Sequence, residues 1–365
     1  MNETIRIKTL ASAAILAVSM LTGPVFAFDN GEGRDPLPLV SKPEKKALRN
    51  SQSFGFDNDI LVPGSRDQDY TYGLNWTVSG EGVTDHWASL HSQLGWIDDG
   101  IGIAQYDGGS IRSERIEYGL FGFTPEDITQ SAPQPGDRPY AGLVYVSSTQ
   151  ERYQPAQEVS WQSTLTLGVL GLDVVGDLQQ SVHALTGSDE PRGWENQISA
   201  GGEPTLRYSL ARQQLLYQSG NGVEVKSTTL GSVGFITEAS YSLSLRAGNI
   251  QTPWVSFNPE LTSYGENAIP SDLGRVAESY FWTGIALKAR VYNAFLQGQF
   301  RESPVTYDFD ELNHGLVEAW VGYTVALGNG YSFTYSIRGH SSELREGVGD
   351  RNVVWGGVLI TKSFI

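Results

Sequence analysis

From Ser51 onward, apolar and polar side chains alternate with a period of two. Tyr70, Tyr72, Leu74, Trp76 and Val78 share one face, against Thr71, Gly73, Asn75, Thr77 and Ser79. Val159, Trp161, Leu165, Leu167 and Val169 repeat the pattern, as do Tyr241, Leu243 and Leu245. Val317 to Leu327 follows it too, and Tyr331, Phe333, Tyr335 and Ile337 resume it after the turn Gly328-Asn329-Gly330. Such alternation predicts strands rather than helices. One face is aliphatic with aromatics near its ends, and the other is small and polar. A strand has this character when its outside meets lipid and its inside meets water or polar side chains. A soluble sandwich would bury the apolar face equally well. Marking such segments over 51–365 yields about twelve strands, an even number as in a single-chain barrel. The last of them runs from Val353 and ends Ser363-Phe364-Ile365.

One polar insertion breaks the alternation. Between Val169 and the next strand, Leu178, Val182 and Leu185 recur at helical spacing. Asp177 is placed to cap the start and Gly187 to close the end in a left-handed conformation. His183 falls off the apolar stripe, on the side of Gln179, and Asp189 and Glu190 follow shortly after the helix. A titratable imidazole beside carboxylates can serve as a general base, although a lone histidine on a surface helix is commonly idle.

Composition narrows the class. Met1 to Ala27 reads as a secretory signal, with Arg6 and Lys8 before the apolar Leu10–Leu21 stretch. Residues 28–50 are polar and proline-containing, and read as a flexible segment ahead of a barrel domain over 51–365. Formal charge is −16 for the full chain, and removing Arg6, Lys8 and Glu3 leaves about −17, which argues against nucleic acid as a partner. There is no cysteine, and both methionines lie within the first 27 residues, so thiol chemistry and disulfides are excluded. No apolar run after the signal is long enough for a membrane helix. Exported, acidic and rich in glycine and aromatic residues, the chain fits an all-β, transmembrane antiparallel barrel in the outer membrane of a Gram-negative bacterium.

Two further polar clusters stand out. Asn58-Asp59 ends a strand-like segment, and a carboxylate there is expected at the rim rather than against lipid. Asp and Asn are hard oxygen donors of the kind calcium takes, although the full spacing of a calcium-binding loop is absent and an acidic turn would look the same. Gly136-Asp137-Arg138-Pro139-Tyr140-Ala141-Gly142 reads as a strand-entry turn around a potential Asp-Arg pair. No G-x-S-x-G, H-E-x-x-H or paired-cysteine pattern occurs.

Taken in order, Asn58-Asp59, Tyr70-Thr71-x-Gly73, Gly136 to Gly142, Gln180-x-x-His183 and Gly193-Trp194-x-x-Gln197 resemble the outer-membrane lipid A 3′-O-deacylase family over nearly the whole mature chain. The resemblance implies a 12-stranded barrel that uses Ca2+ to remove the 3′-linked acyloxyacyl chain of lipid A. Its site would lie between the barrel wall and a loop helix, on the outer-leaflet side. His183 then matches the catalytic base, Asn58 and Asp59 the Asn-Asp pair near histidine and metal, and Thr71 the motif threonine. Asp189 falls where the family has a metal-site carboxylate, as Asp in place of Glu. Tyr72 stands where Asn is frequent, and no lysine precedes Asp137. The implied partners are lipopolysaccharide and outer-membrane lipids, with the chain working as a monomer. A neutral imidazole is needed, so activity is expected to fall at acid pH. The competing readings are a serine-nucleophile outer-membrane phospholipase and a non-enzymatic porin or structural barrel.

Overall fold

In the computed structural model, the described residues are 50–63, 69–80, 82–103, 110–267 and 274–364. The expected signal peptide and all but the last residue of the 28–50 segment lie outside them. Twelve strands close into one antiparallel barrel in sequence order, with β1 (Ser51–Asn58) pairing both β2 (Asp69–Ser79) and β12 (Val353–Ser363). Between them run β3 (Ser110–Thr124), β4 (Ala141–Gln154), β5 (Val159–Leu170), β6 (Glu203–Ser219), β7 (Val223–Gly234), β8 (Ile236–Asn249), β9 (Ala277–Asn293), β10 (Gly315–Leu327) and β11 (Tyr331–His340). Closure leaves no unpaired sheet edge, which is what allows strands to span hydrocarbon.

The alternation sorts as expected over most of the wall. Tyr241, Leu243, Phe281, Ile285, Leu287, Val321, Phe333 and Ile360 are exposed on the outside, while Ser53, Thr77, Glu117, Arg246, Arg290 and Arg338 are buried inside. Tyr70 departs from it. The β2–β3 register shifts between Tyr70 and Tyr72, so the two tyrosines, expected on one face, point to opposite sides of the wall. Tyr70 turns into the lumen, where its hydroxyl donates to Asp57 at 3.2 Å and its ring packs on Phe121, Phe123 and Trp355.

The lumen is filled from the rim that carries the chain ends. Residues 250–267 fold inward between β8 and β9. Trp254 meets Tyr153, Phe257 meets Tyr280 and Trp282, and Tyr264 lies among Phe121, Phe123 and Trp355. Buried charges on the segment find wall partners, Glu260 with Lys226 at 2.9 Å and Glu266 with Arg207. A cavity of about 80 Å³, lined among others by Asp57, Asn258, Ser336 and Arg338, remains beside the plug. Among the described residues, this segment and its wall partners occupy much of the lumen. Purified protein in planar bilayers is expected to show no stable conductance, and steady single-channel steps would return the porin reading to contention.

The two rims differ. The rim opposite the chain ends carries the connections 125–140, 171–202, 294–314 and 341–352, together with Asn58 and Asp59, and the chain-end rim carries 80–109 and 250–276. Two helices pack on the outer wall rather than in the lumen: α1 (His91–Gly100) against β4 and β5, and α2 (Asp173–Thr186) against β3 and β4.

Candidate active site

The site begins where β1 stops. Asn58 ends the strand and caps a single 3-10 turn over Asp59–Leu61, its Oδ1 accepting from the Ile60 N–H at 2.8 Å. Asp59, expected at the rim, is there, yet only 2% exposed. The turn lies on the outside of the wall. Tyr335 donates its hydroxyl to the Leu61 carbonyl, and Gly356 leaves room for Leu61, which a β-carbon would meet at 2.7 Å.

Thr71 sits at the β2 irregularity. Its Oγ1 lies 2.6 Å from Oγ1 of Thr124, and both residues are buried. The next residue, Tyr72, stands opposite Asn58 in the β1–β2 register. Its ring points outward, and its hydroxyl donates to the Val175 carbonyl at 2.5 Å. This bond fastens α2 to the strand that carries Thr71.

Helix α2 starts five residues earlier than its sequence signals suggest, its cap position falling at Leu172 instead of Asp177. Leu172 precedes it with no side-chain cap, and Asp177 lies in its interior. The reason is tertiary: Val175, on the first turn, is fully buried among Tyr72, Tyr140 and Trp194, with Leu120, Val144 and Leu178 around them. Burial of that cluster outweighs the missing cap, which is worth only about 1 kcal/mol. Two glycines on the wall make the approach possible. A β-carbon on Gly142 would lie 2.9 Å from the Val175 side chain, and one on Gly122 would lie 3.0 Å from it.

The C-terminal end is as expected. Gly187 adopts φ 73°, and its N–H bonds the His183 carbonyl at 2.9 Å. The loop beyond folds back along the helix. Trp194 Nε1 donates to Gln179 Oε1 at 2.7 Å, Gln180 Nε2 donates to the Pro191 carbonyl at 3.0 Å, and Gly193 lets the Tyr140 ring approach. The Gln-x-x-His and Gly-Trp segments thus fasten helix to loop. Their result is that the Asp189 carbonyl lies 2.5 Å from His183 Nδ1. A carbonyl only accepts, so Nδ1 carries the hydrogen and the lone pair of the neutral ring sits on Nε2. Asp189 thus meets the imidazole through its backbone, and its side chain is exposed. His183 lies eight residues past Val175, about 12 Å further along the helix.

The Asp137-Arg138 side-chain pair does not form. Arg138 turns to Glu343 and lies 3.5 Å from Asp69, while Asp137 pairs with Arg351 at 2.7 Å. The strand-entry turn is therefore tied to the β11–β12 connection. Glu343 is its hub, contacting Arg138, Arg290 at 2.5 Å and Asn293 at 2.8 Å. Burial pushes the Glu343 carboxyl up, but Arg138 and then Arg290 outweigh it and hold it well below the usual carboxylate range. Its stabilising contribution is complete above the ordinary glutamate value of about 4.3 and is lost only as pH falls through the depressed one. Glu343→Gln removes the carboxylate shared by two buried guanidiniums, which keep Asp69 and Glu238 as their other partners, and is expected to cost about 1.5–3 kcal/mol. Urea unfolding of the two proteins at neutral pH measures this difference. Equal midpoints would show that the hub is dispensable.

Among the described residues no three His, Asp or Glu side chains group around one point. At the rim the residue types that remain are hard-oxygen donors, first of all the buried Asp59 carboxylate. Such a set, completed by water, suits calcium and lacks the nitrogen and sulfur donors that zinc favours.

A closed barrel with an apolar outer belt, a plugged lumen and a helix docked on the wall beside the rim that carries Asn58 has the architecture of an outer-membrane barrel. A family model described as outer membrane protein LpxR matches residues 12–364. The chain belongs to the LpxR family of outer membrane proteins. LpxR from Salmonella typhimurium shares the fold, with a TM-score of 0.64 at 17% identity, covering 86% of this chain and 100% of that one. The β domain of the Bordetella autotransporter Brka matches at a TM-score of 0.40 and 11% identity, over 87% of this chain and 100% of that one. No curated protein matches the chain.

Sequence reasoning passed over Thr124 and Glu343 as parts of this rim, and met Tyr72 only as a departure from the motif. Thr124 read as an ordinary strand residue, and Glu343 belongs to a connection remote in sequence. The glycines at 122 and 142, in strands otherwise rich in large residues, were the available sign that something packs closely on the wall.

Proposed function

We propose that this protein is a calcium-dependent lipid A 3′-O-deacylase of the outer membrane, acting at the outer leaflet. Membership of the LpxR family supports the class. The observation that carries the chemistry is the Nδ1–H hydrogen bond from His183 to the Asp189 carbonyl, which fixes the ring with Nε2 as the basic nitrogen. Nε2 takes a proton from water as the water oxygen attacks the 3′-ester carbonyl. The imidazolium is stabilised by the Asp189 carbonyl and by the C-terminal end of α2, where His183 lies in the last turn. It then returns the proton to the 3′-oxygen as the carbon–oxygen bond breaks, leaving a fatty acid and a free hydroxyl. Asn58 spends its Oδ1 on the Ile60 N–H, so what remains for substrate is the Nδ2 donor, suited to the carbonyl oxygen. Thr71, bonded to Thr124, holds the β2 end beside it.

Asp59, a buried carboxylate at the rim, would hold calcium, with Asp189 the second candidate. Bound there, the ion supplies Lewis-acid polarisation of the ester. Chelation is expected to abolish release of the 3′-acyloxyacyl group, and calcium to restore it. Mass spectrometry of lipid A follows the loss. Asp59→Asn is expected to raise the calcium concentration needed for half-maximal activity. Full turnover in excess chelator would remove the metal from the mechanism. The serine-nucleophile phospholipase reading is separated by covalent labelling with a serine-reactive phosphonate, which this scheme expects to be absent.

A further inference from the structure

We propose that the outer wall of β3–β6 near the chain-end rim, together with α1, is a contact surface for phospholipid headgroups and interfacial water rather than for acyl chains. The inference goes beyond the catalytic reading and does not depend on it.

The two sides of the barrel present different exteriors. On β9 the outward positions Phe281, Thr283, Ile285, Leu287 and Ala289 are all exposed, a run of about 27 Å of strand. On β5, Val159, Trp161 and Leu165 are buried under Ile103, Leu90 and Leu94 of the α1 unit. Only Leu167 and Val169 among its outward apolar residues keep access to the surroundings, about 7 Å of strand. On β4, α2 covers Gly142 and Val144, and α1 covers Val146 and Ser148.

Below α1 the outward residues of β4 are polar, as are Arg212 and Gln214 on β6, beyond which Leu216 and Tyr217 are exposed. Gln150 Nε2 donates to Glu114 Oε1 at 3.0 Å, and Arg152 Nη2 donates to Gln150 Oε1 at 2.8 Å. Gln154 follows, and on β6 Arg212 Nη1 donates to Gln214 Oε1 at 3.1 Å. A lipid-facing arginine costs about 2–4 kcal/mol at the bilayer midplane and little near the interface. A patch holding two arginines, a glutamate and three glutamines is compatible with headgroup and water contact and not with hydrocarbon.

Helix α1 fits the same level. Asp98, fully buried, accepts from Ser163 Oγ at 2.7 Å and from the Tyr208 hydroxyl at 2.8 Å, which fastens the helix to the wall. Its outer face shows Ser92, Gln93, Trp96 and Asp99, with Trp96 78% exposed and the neighbouring Trp87 87% exposed. Tryptophan among small polar residues is the composition of a membrane–water interface. The patch carries both signs of charge, Glu114 and Asp99 against Arg152 and Arg212, and so matches zwitterionic headgroups. The acyl layer is therefore pinched on the sector that also carries α2.

The chain has no cysteine, so single spin labels can be placed directly. Gln150 and Phe281 each lie four residues from the chain-end terminus of their strand, and both face outward. Gln150→Cys, Gln93→Cys and Phe281→Cys, labelled and reconstituted in phosphatidylcholine vesicles, are compared by accessibility to oxygen and to a water-soluble nickel chelate. Labels at 150 and 93 are expected to favour nickel and the label at 281 to favour oxygen. The proposal fails if 150 and 93 match 281, since the patch then lies in hydrocarbon. It also fails if they are shielded from both reagents, which would mean that a protein surface covers them. The label at 93 guards against local disturbance of the Gln150 hydrogen bonds.

Discussion

His183→Ala is expected to lower the proposed lipid A deacylation by about 10²–10⁴-fold, the usual worth of a positioned general base, while leaving the barrel folded. The side chain is on a short helix outside the wall, so its truncation opens no cavity in the lumen. Heat-modifiable migration in detergent should therefore match that of the unaltered protein. His183→Asn fails similarly, because an amide cannot accept a proton at neutral pH. His86→Ala and His314→Ala behave as the unaltered protein. His86 bonds the exposed Tyr118 hydroxyl, and His314 spans the Arg290 and Phe309 carbonyls, both away from Asn58 and Thr71. The assay is the mass loss of the 3′-acyloxyacyl group. A folded His183→Ala protein with near-normal activity would make another residue the base and move the serine-nucleophile reading ahead.

Gly142→Val should cost about 10²-fold or more in the same assay without unfolding the barrel. A β-carbon at 142 would meet Cβ, Cγ1 and Cγ2 of Val175 at 2.9 Å, and a β-branched side chain on a docked helix has little freedom to yield. The helix must lift or slide, and misplacement of about 1 Å is enough to cost two orders of magnitude in rate. Gly142→Ala should fall between, and adding Val175→Ala should restore part of the loss by returning the space. Gly315→Ala, at a strand start with no atom within 4 Å of the added carbon, is the control and should be silent. If Gly142→Val retains full activity, close docking of α2 is not what positions His183.

Much of this architecture is local. Strands such as Gly315–Leu327 are legible because each is amphipathic by itself, and any partner on either side leaves the same residues facing out. The C-terminal close of α2 at Gly187 is equally local, since it needs only a residue that tolerates positive φ. The start of α2 is not. Its decisive residue is Val175, whose burial depends on glycines at 122 and 142 in strands that precede it by tens of residues. The Asp137-Arg138 pair failed for a related reason. Neighbours in sequence lost to Glu343 and Arg351, more than 200 residues away, which the closed barrel brings to the same rim as partners.

By itself, the sequence determined the strand-built wall, the outward side of the clearly alternating strands apart from Tyr70, the absence of thiol chemistry and the ordered motifs that resemble one family. These follow from periodicity, composition and order, which do not depend on what is brought near what. Only the tertiary structure decided that Tyr70 enters the lumen while Tyr72 holds the helix, that 250–267 fills the barrel, and that the apolar face of β5 is covered by α1 instead of lipid. It also decided that the Asp189 backbone, and not its carboxylate, orients His183. Each of these depends on closing the barrel, which sets distant strand ends side by side and lets a one-residue register shift choose between inside and outside.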